Sequence, residues 1–237
     1  MTFNIHHGRG SDKKVDLGRI ADVIAFCKPD IIGLNEVDSH FSKRSLYEDQ
    51  ADWLAKQCGM DYAFCPSIWK KTKYLAKERQ FGNALLSRYP IVDKATHSFT
   101  MPGLSEGRSL LEAKVQIETL SLQIIVTHLS LNPLLHKKQT DYILKLQQNK
   151  AKPVVIMGDW NMKPRSKRWQ NLTKEFQDAW EIVGKGTGFT YPAHRPRTRL
   201  DYIFASHHFD ILDAGVVNIM PEASDHLPVV AMLFFGG

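Results

Sequence analysis

The stretch "PVVIMGDWN", residues 153 to 161, decides how the rest of the chain is read. Five apolar or Pro residues followed by Gly describe a buried strand reaching its end. Side chains alternate along a strand, so Asp159 and Asn161 point one way and Trp160 the other. A carboxylate and an amide side by side at a strand end can orient a water, a phosphate or a metal ion. Asp and Asn also open turns, so the motif alone leaves both readings standing. Trp160 is expected to pack on the opposite face.

Working outward, the pattern is two cycles of strand, helix and several strands. "TFNIHH" is a short first strand; it begins abruptly at Met1 and is expected to continue upstream of this numbering. "VDLGRIADVIAFCKPD" puts Leu17, Ile20, Ala21 and Ile24 on one helical face, with Asp16 as N-cap. "IIGLNEV" then reads as a strand buried on both faces. A second helix is expected from about Ser45 to Cys58, stopped by Gly59. "YAFC", "FGNALLSR", "SLLEAKVQI" and "LQIIVTHLS" read as strands, and "PSIWKKTKYLAKERQ" between the first two as a long basic surface loop. "NPLLHKKQTDYILKLQQNK" is a helix with Pro133 near its start. A short helix is expected from Arg165 to Phe176, and strands "RLDYIFAS", "FDILDAGVVN" and "LPVVAMLFF" close the chain. No linker or repeat interrupts this, so residues 1–237 are read as a single domain of two stacked sheets with helices outside.

Hydrophobic residues make up 43% and charged residues 24%, as in ordinary globular chains. No apolar run is long enough to span a bilayer. The start lacks the basic and apolar regions of a signal peptide. Cys27, Cys58 and Cys65 are odd in number and show no CxxC spacing, which suggests reduced thiols and the cytoplasm. A secreted protein whose leader lies outside this sequence is the other reading. The formal charge of +6 mildly favours anionic partners. Walker A and GxGxxG are missing, which disfavours nucleotide cofactors.

Polar residues recur at the ends of the apolar strands: Asn4, Glu36, His128, Asp159 with Asn161, Asp201, and "SDH" at 224–226. Each alone is a solvated strand end or a satisfied histidine more often than a ligand. As a set they supply carboxylates, amides and imidazoles without cysteine, a mixture that suits Mg²⁺ or Mn²⁺ over structural zinc. The order "TFNIHHG", "PDIIGLNEVD", "FGNALLSRYPI", "THLSL", "GDWNMKP", "RLDYIFAS" and "SDHLPVVAML" resembles the endonuclease/exonuclease/phosphatase superfamily, also called DNase I-like. The small bacterial metal-dependent hydrolases of that superfamily are the nearest in pattern. The match runs from the first residues to the last strand.

That resemblance implies a four-layer α/β sandwich, two packed mixed β-sheets flanked by helices. It implies Mg²⁺-dependent (or Mn²⁺-dependent) hydrolysis of a phosphoester by an in-line water. Glu36 would be the principal metal ligand, with Asn4 beside it, and Asp225 would reach a second metal. His226 would be the general base and Asp201 would hold its imidazole in the useful tautomer. Asp159 and Asn161 would position the water and a phosphoryl oxygen, and His128 would donate to the phosphate. If His226 acts as a neutral base, activity should fall as pH drops through the imidazole range.

Other residues stay open. Asn83 is a substrate-facing amide or a pin for a loop. Arg44 and Arg108 touch a phosphate, or are solvated or paired. His6 and His7 are adjacent, so at most one is expected to face the site, His6 ahead of His7.

Three substrates or roles compete. One is a small-molecule or lipid-headgroup phosphodiester. Another is DNA or RNA, favoured by the basic loops "WKKTKYLAKER", "KPRSKRW" and "HRPRTR". The last is an inactive binding module, which the intact set of catalytic residue types argues against. The expected form is a monomeric phosphodiesterase without a membrane span.

Overall fold

The computed structural model describes residues 1–71, 77–100, 107–146 and 152–236. The chain opens with β1 (Thr2–Asn4), α1 (Leu17–Cys27), β2 (Ile31–Ser39) and α2 (Gln50–Cys58). β3 (Asp61–Lys70), β4 (Arg79–Ser87), β5 (Ile91–Phe99), β6 (Arg108–Ile117) and β7 (Leu120–His128) follow. α3 (Pro133–Leu146), β8 (Val154–Asp159), α4 (Lys167–Leu172), β9 (Gln177–Asp178) and α5 (Ala179–Val183) come next, then β10 (Asp201–Ala205), β11 (Phe209–Val216) and β12 (Val229–Phe235).

The strands form two six-stranded sheets, ordered β11-β12-β1-β2-β4-β3 and β5-β6-β7-β8-β10-β9. β1 with β2 and β7 with β8 are parallel, each pair joined by a crossover helix; the other pairings are antiparallel. Three hydrophobic clusters correspond to the three interfaces of four layers. Ile20, Ile24 and Leu54 of the first two helices pack on Phe3, Ile32 and Leu34. Leu85, Val126, Met157 and Ile203 meet between the sheets. Leu135, Ile143 and Leu172 cover Ile125, Ile156 and Phe204. The fold is the expected four-layer α/β sandwich. None of the described helices is long and apolar enough to cross a membrane.

Local signals explain most element ends. Asp16 Oδ1 accepts from Gly18 N and caps α1, and Asn132 Oδ1 accepts from Leu134 N and Leu135 N at the start of α3. Gly59 closes α2 with φ 63°. The expected helix from Ser45 is shorter: Leu46 and Tyr47 have positive φ, and α2 starts after Asp49, whose side chain accepts from Asp52 N. The helix expected over 165–176 is regular only from Lys167 to Leu172. The expected loop from Pro66 to Gln80 is largely strand, because β3 and β4 run on as a paired ribbon to Lys70 and Arg79. Residues 72–76 of that loop, and 147–150 at the end of the α3 segment, lie outside the described residues. β5, unforeseen, is an edge strand whose mostly exposed polar residues carry no alternation.

Gly158 in GDWN has its own reason. Its φ is 147°, and a Cβ there would sit 1.8 Å from Thr127 O on the neighbouring strand. Trp160 is fully buried and meets Phe204 edge to face with centroids 4.8 Å apart, as alternation predicted.

Arg199, 1% exposed, lies between the rings of Trp180 and Tyr202 at 4.7 and 4.6 Å. It pairs with Asp178 at 3.0 Å and Glu181 at 3.4 Å, fastening α5 against the approach to β10. Burial already pushes the Asp178 carboxyl upward despite that partner. Arg199→Met strands a buried carboxylate, so denaturant titration is expected to show a loss of about 3–5 kcal/mol. A change below about 1 kcal/mol would mean the pair contributes no more than a surface ion pair.

Candidate active site

The parallel strands β1, β2, β7 and β8 all end on one rim, and the polar residues gather there. The ladders do most of the assembly. His128 pairs with Asp159 across β7 and β8, and Asp159 pairs with Asp201 across β8 and β10. Paired residues share a face, so these three side chains form one row. On the other sheet Asn4 lies in register with Asn35.

Asp159 is the hub. Its Oδ2 accepts from Asn4 Nδ2 at 3.1 Å and lies 3.5 Å from His128 Nε2 and 3.7 Å from His226 Nε2. Its Oδ1 accepts from Asn161 N at 3.0 Å. Burial pushes the Asp159 carboxyl upward, against the two imidazoles that pull it down. His226 Nδ1 lies 2.8 Å from Asp201 Oδ2, leaving Nε2 toward Asp159. Burial lowers the His226 pKa, but Asp201 and Asp159 outweigh it and raise the group to about 10. The two carboxylates thus favour the charged imidazolium. The Tyr191 ring is tilted against His226 with centroids 4.8 Å apart.

Glu36 reaches the rim by a backbone device. Strict alternation along β2 would send it to the face of Leu34, which is buried under the helices. The register between β2 and β4 shifts between Leu34 and Val37, and Glu36 has φ 58°. This bulge turns its carboxylate toward Asn4, whose Nδ2 donates to Oε1 at 3.1 Å. Asn4 therefore spans the Glu36 and Asp159 carboxylates, while its Oδ1 accepts from His6 N at 3.1 Å. Ser224 Oγ donates to Asn4 O at 2.7 Å and ties the SDH loop to β1.

Asn161 adopts φ 45°, tolerable for Asn, and its Nδ2 lies 3.2 Å from His128 Nε2 and 3.0 Å from Leu129 O. Asp225 is brought to the rim, with Oδ1 3.6 Å from His6 Nδ1.

The structure gives three of the expected phosphate or substrate contacts partners within the protein. Asn83 is 2% exposed, and both ends of its amide are committed: Oδ1 accepts from Asn35 Nδ2, and Nδ2 donates to Ser109 O. It is a pin between sheets, the other reading of that residue. Arg44 is held by Asp38 through Nε at 2.9 Å and Nη2 at 2.6 Å. Arg108 begins β6, where its Nη1 donates to Gly107 O.

The expectation that only one of His6 and His7 faces the site is overturned. Alternation stops with β1 at Asn4, and both histidines take left-handed backbone in a 3₁₀ turn, with φ 45° and 46°. One ring nitrogen of each and a Glu36 oxygen lie within 4.8 Å of one another. Burial, then the Arg44 charge, lowers the His7 pKa to about 3.

Asn35 was missed by the sequence reading. Its Nδ2 donates to Asn83 Oδ1 and Thr127 O, and its Oδ1 accepts from Asp159 N at 2.8 Å. It carries the alignment of one sheet onto the hub of the other. The available signal was an amide inside an otherwise apolar strand, directly before Glu36.

The donors fit a divalent cation. Glu36 is only half-buried, and His6 Nδ1, His7 Nδ1 and Asp201 Oδ1 are buried with no hydrogen-bond partner among the described residues. Asp159, Asp201 and His226 form a second group of close ligand atoms.

Residues 1–226 match the Endonuclease/Exonuclease/phosphatase family. The chain belongs to that family. Its members are metal-dependent hydrolases of phosphoester bonds, and this chain is an enzyme of that class. No curated protein matches the chain. Among solved structures, the endonuclease/exonuclease/phosphatase from Beutenbergia cavernae is 26% identical, covering 100% of this chain and 71% of that one, with a TM-score of 0.79. The mannosyl-6-phosphatase of Bacteroides thetaiotaomicron is 19% identical over 99% of this chain and 98% of its own, with a TM-score of 0.77. The human Nocturnin catalytic domain, solved with a sulfate anion, is 19% identical over 98% and 92%, with a TM-score of 0.72. The last two likenesses are likenesses of fold.

Proposed function

We propose that this chain is a Mg²⁺- or Mn²⁺-dependent phosphodiesterase that attacks phosphorus with a water activated by His226. One observation carries it: the Asp201–His226 pair, 2.8 Å apart, aims Nε2 at the Asp159 hub beside the Glu36 carboxylate. Glu36 would hold the cation with the Asn4 amide against it, and Asp225 would lie at its edge. A bound divalent ion neutralises charge developing on the phosphoryl oxygens.

The protein groups supply the rest. Asp159 and Asn161 hold the attacking water, and His226 Nε2 takes its proton. Asp201 keeps Nδ1 protonated and stabilises the imidazolium. His128, in the same row as Asp159, would donate to a phosphoryl oxygen. A diester is preferred over a monoester because Arg44, the guanidinium expected at the phosphate, is committed to Asp38. A dianionic monoester would meet Glu36, Asp159, Asp201 and Asp225 with less cationic charge in return.

A nuclease is the second reading, and a specific surface favours it. Beyond Glu36 the β3–β4 ribbon carries Trp69, 55% exposed, with Lys71 Nζ 5.3 Å from its ring. Arg44, Lys70 and Arg79 surround Phe41 at 4.5, 5.5 and 5.7 Å. Aromatic faces interleaved with cations suit bases and backbone of a nucleic acid strand. The free thiols Cys27, Cys58 and Cys65 support a reducing, cytoplasmic setting.

The test compares bis-(p-nitrophenyl) phosphate, p-nitrophenyl phosphate and supercoiled plasmid, each with Mg²⁺, Mn²⁺ or EDTA. Diester cleavage that EDTA abolishes, without nicking, is the expected result. Nicking that EDTA abolishes would move the assignment to the nuclease, and faster monoester cleavage would make the chain a phosphatase.

The pH profile checks the base. Because the carboxylates raise His226 toward about 10, its basic form grows as pH rises, and a cation beside Glu36 works in the opposite sense. The rate should therefore climb with pH along a limb between 6.5 and about 10. Asp201→Asn removes the largest raising influence, so the limb should move to lower pH as the rate falls. A limb that stays in place would separate it from His226.

A further inference from the structure

We propose that His6 and His7 join Glu36 in a mixed nitrogen–oxygen metal site, so that this chain takes an imidazole-accepting divalent ion of the Mn²⁺ type in preference to Mg²⁺. The inference rests on the metal-dependent reading above and names which ion that site selects.

The three ligand atoms, one from each residue, already lie within 4.8 Å of one another. The turn that presents them is fixed from several sides. Gly8 N donates to Ile5 O and Arg9 N to His6 O, both at 2.8 Å. Gln50 Nε2 donates to His7 O at 2.8 Å, and His6 N donates to Asn4 Oδ1. His7 is 6% exposed, yet its Nδ1 has no hydrogen-bond partner among the described residues. His6 Nδ1 is likewise buried without a hydrogen bond among the described residues, its nearest carboxylate contact being Asp225 Oδ1 at 3.6 Å.

Buried imidazole nitrogens are normally satisfied, and two adjacent imidazoles, each with an open nitrogen and each with a ring nitrogen near the Glu36 carboxylate, form a ligand set for an ion. Mg²⁺ demands oxygen ligands in near-ideal octahedral geometry and keeps much of its water. Imidazole donors favour later divalent ions, and Mn²⁺ accepts both donor types. The second cluster, Asp159, Asp201 and His226, differs in kind: its imidazole is already engaged through Nδ1 with Asp201.

The test reads coordination directly. Protein stripped with EDTA is loaded with one equivalent of Mn²⁺ and measured by pulsed electron paramagnetic resonance, which detects ¹⁴N of a ligated imidazole. Nitrogen modulation is expected in the wild type and in His226→Gln. It should weaken in His7→Asn and vanish in the double variant His6→Asn/His7→Asn. Asn is chosen because it tolerates the left-handed backbone of both positions. Competition should show Mn²⁺ held at least about tenfold more tightly than Mg²⁺, a preference lost in the double variant.

Bound Mn²⁺ without nitrogen modulation would overturn the inference, as would modulation lost in His226→Gln but kept in the double variant. Absence of any Mn²⁺ binding would overturn it as well. The two readings fail separately. Mg²⁺-supported diester hydrolysis with an all-oxygen Mn²⁺ spectrum removes the imidazole site and leaves the phosphodiesterase. Modulation present without hydrolysis under any divalent ion removes the phosphodiesterase and leaves the site.

Discussion

Replacing Glu36 by glutamine is expected to lower metal-stimulated diester hydrolysis by roughly a thousandfold or more, the order of a lost cation's charge stabilisation. Glutamine keeps the bulk and can still accept from Asn4 Nδ2, so the bulged strand has no packing reason to change. What it removes is the one half-buried carboxylate that faces both Asn4 and the His6–His7 turn. The loss should appear in turnover and in metal affinity together, with the urea midpoint within the range of a surface substitution. Full turnover with Mg²⁺ or Mn²⁺ in this variant would take Glu36 out of the metal site.

His226→Gln should lower kcat by about 10²–10⁴-fold while KM changes little, because the amide can accept a hydrogen bond but cannot take a proton from water. The same substitution has a stability signature. In the folded protein the His226 pKa is raised from 6.5 to about 10, so its pairing with Asp201 and Asp159 stabilises the fold fully below 6.5. That stabilisation is lost as pH rises through about 10. Wild type should therefore lose stability across this window relative to His226→Gln. Unchanged kcat would exclude His226 as the base, and parallel stability curves would mean the imidazole is not charged between the two carboxylates.

Much of this site was legible because strand periodicity and strand ends are local properties. Alternation in GDWN put Asp159 and Asn161 on one face of a strand end and Trp160 on the other. The resemblance put Asp201 and His226 in one reaction, and the ladder from Asp159 to Asp201 brings them together. The misreadings have a common source: each needed knowledge of where a local rule stops. His6 and His7 were read as strand neighbours, but the strand ends two residues earlier. Arg44 and Asn83 stayed open between substrate contact and internal pairing because Asp38, Asn35 and Ser109, which engage them, lie on other turns or strands.

The sequence by itself determined most of the elements, the two-cycle pattern and the residue types at each strand end. Those follow from hydrophobic period, caps and turn chemistry, which act over a few residues. Only the tertiary structure decided which polar groups share a cleft. Glu36 faces it because pairing with β4 forces a bulge, and Asn35 supports Asp159 because two sheets stack face to face. The charged form of His226 is favoured because two carboxylates from separate strands converge on a buried ring. Register, bulges and inter-sheet hydrogen bonds link residues more than a hundred positions apart, and no local pattern encodes such a meeting.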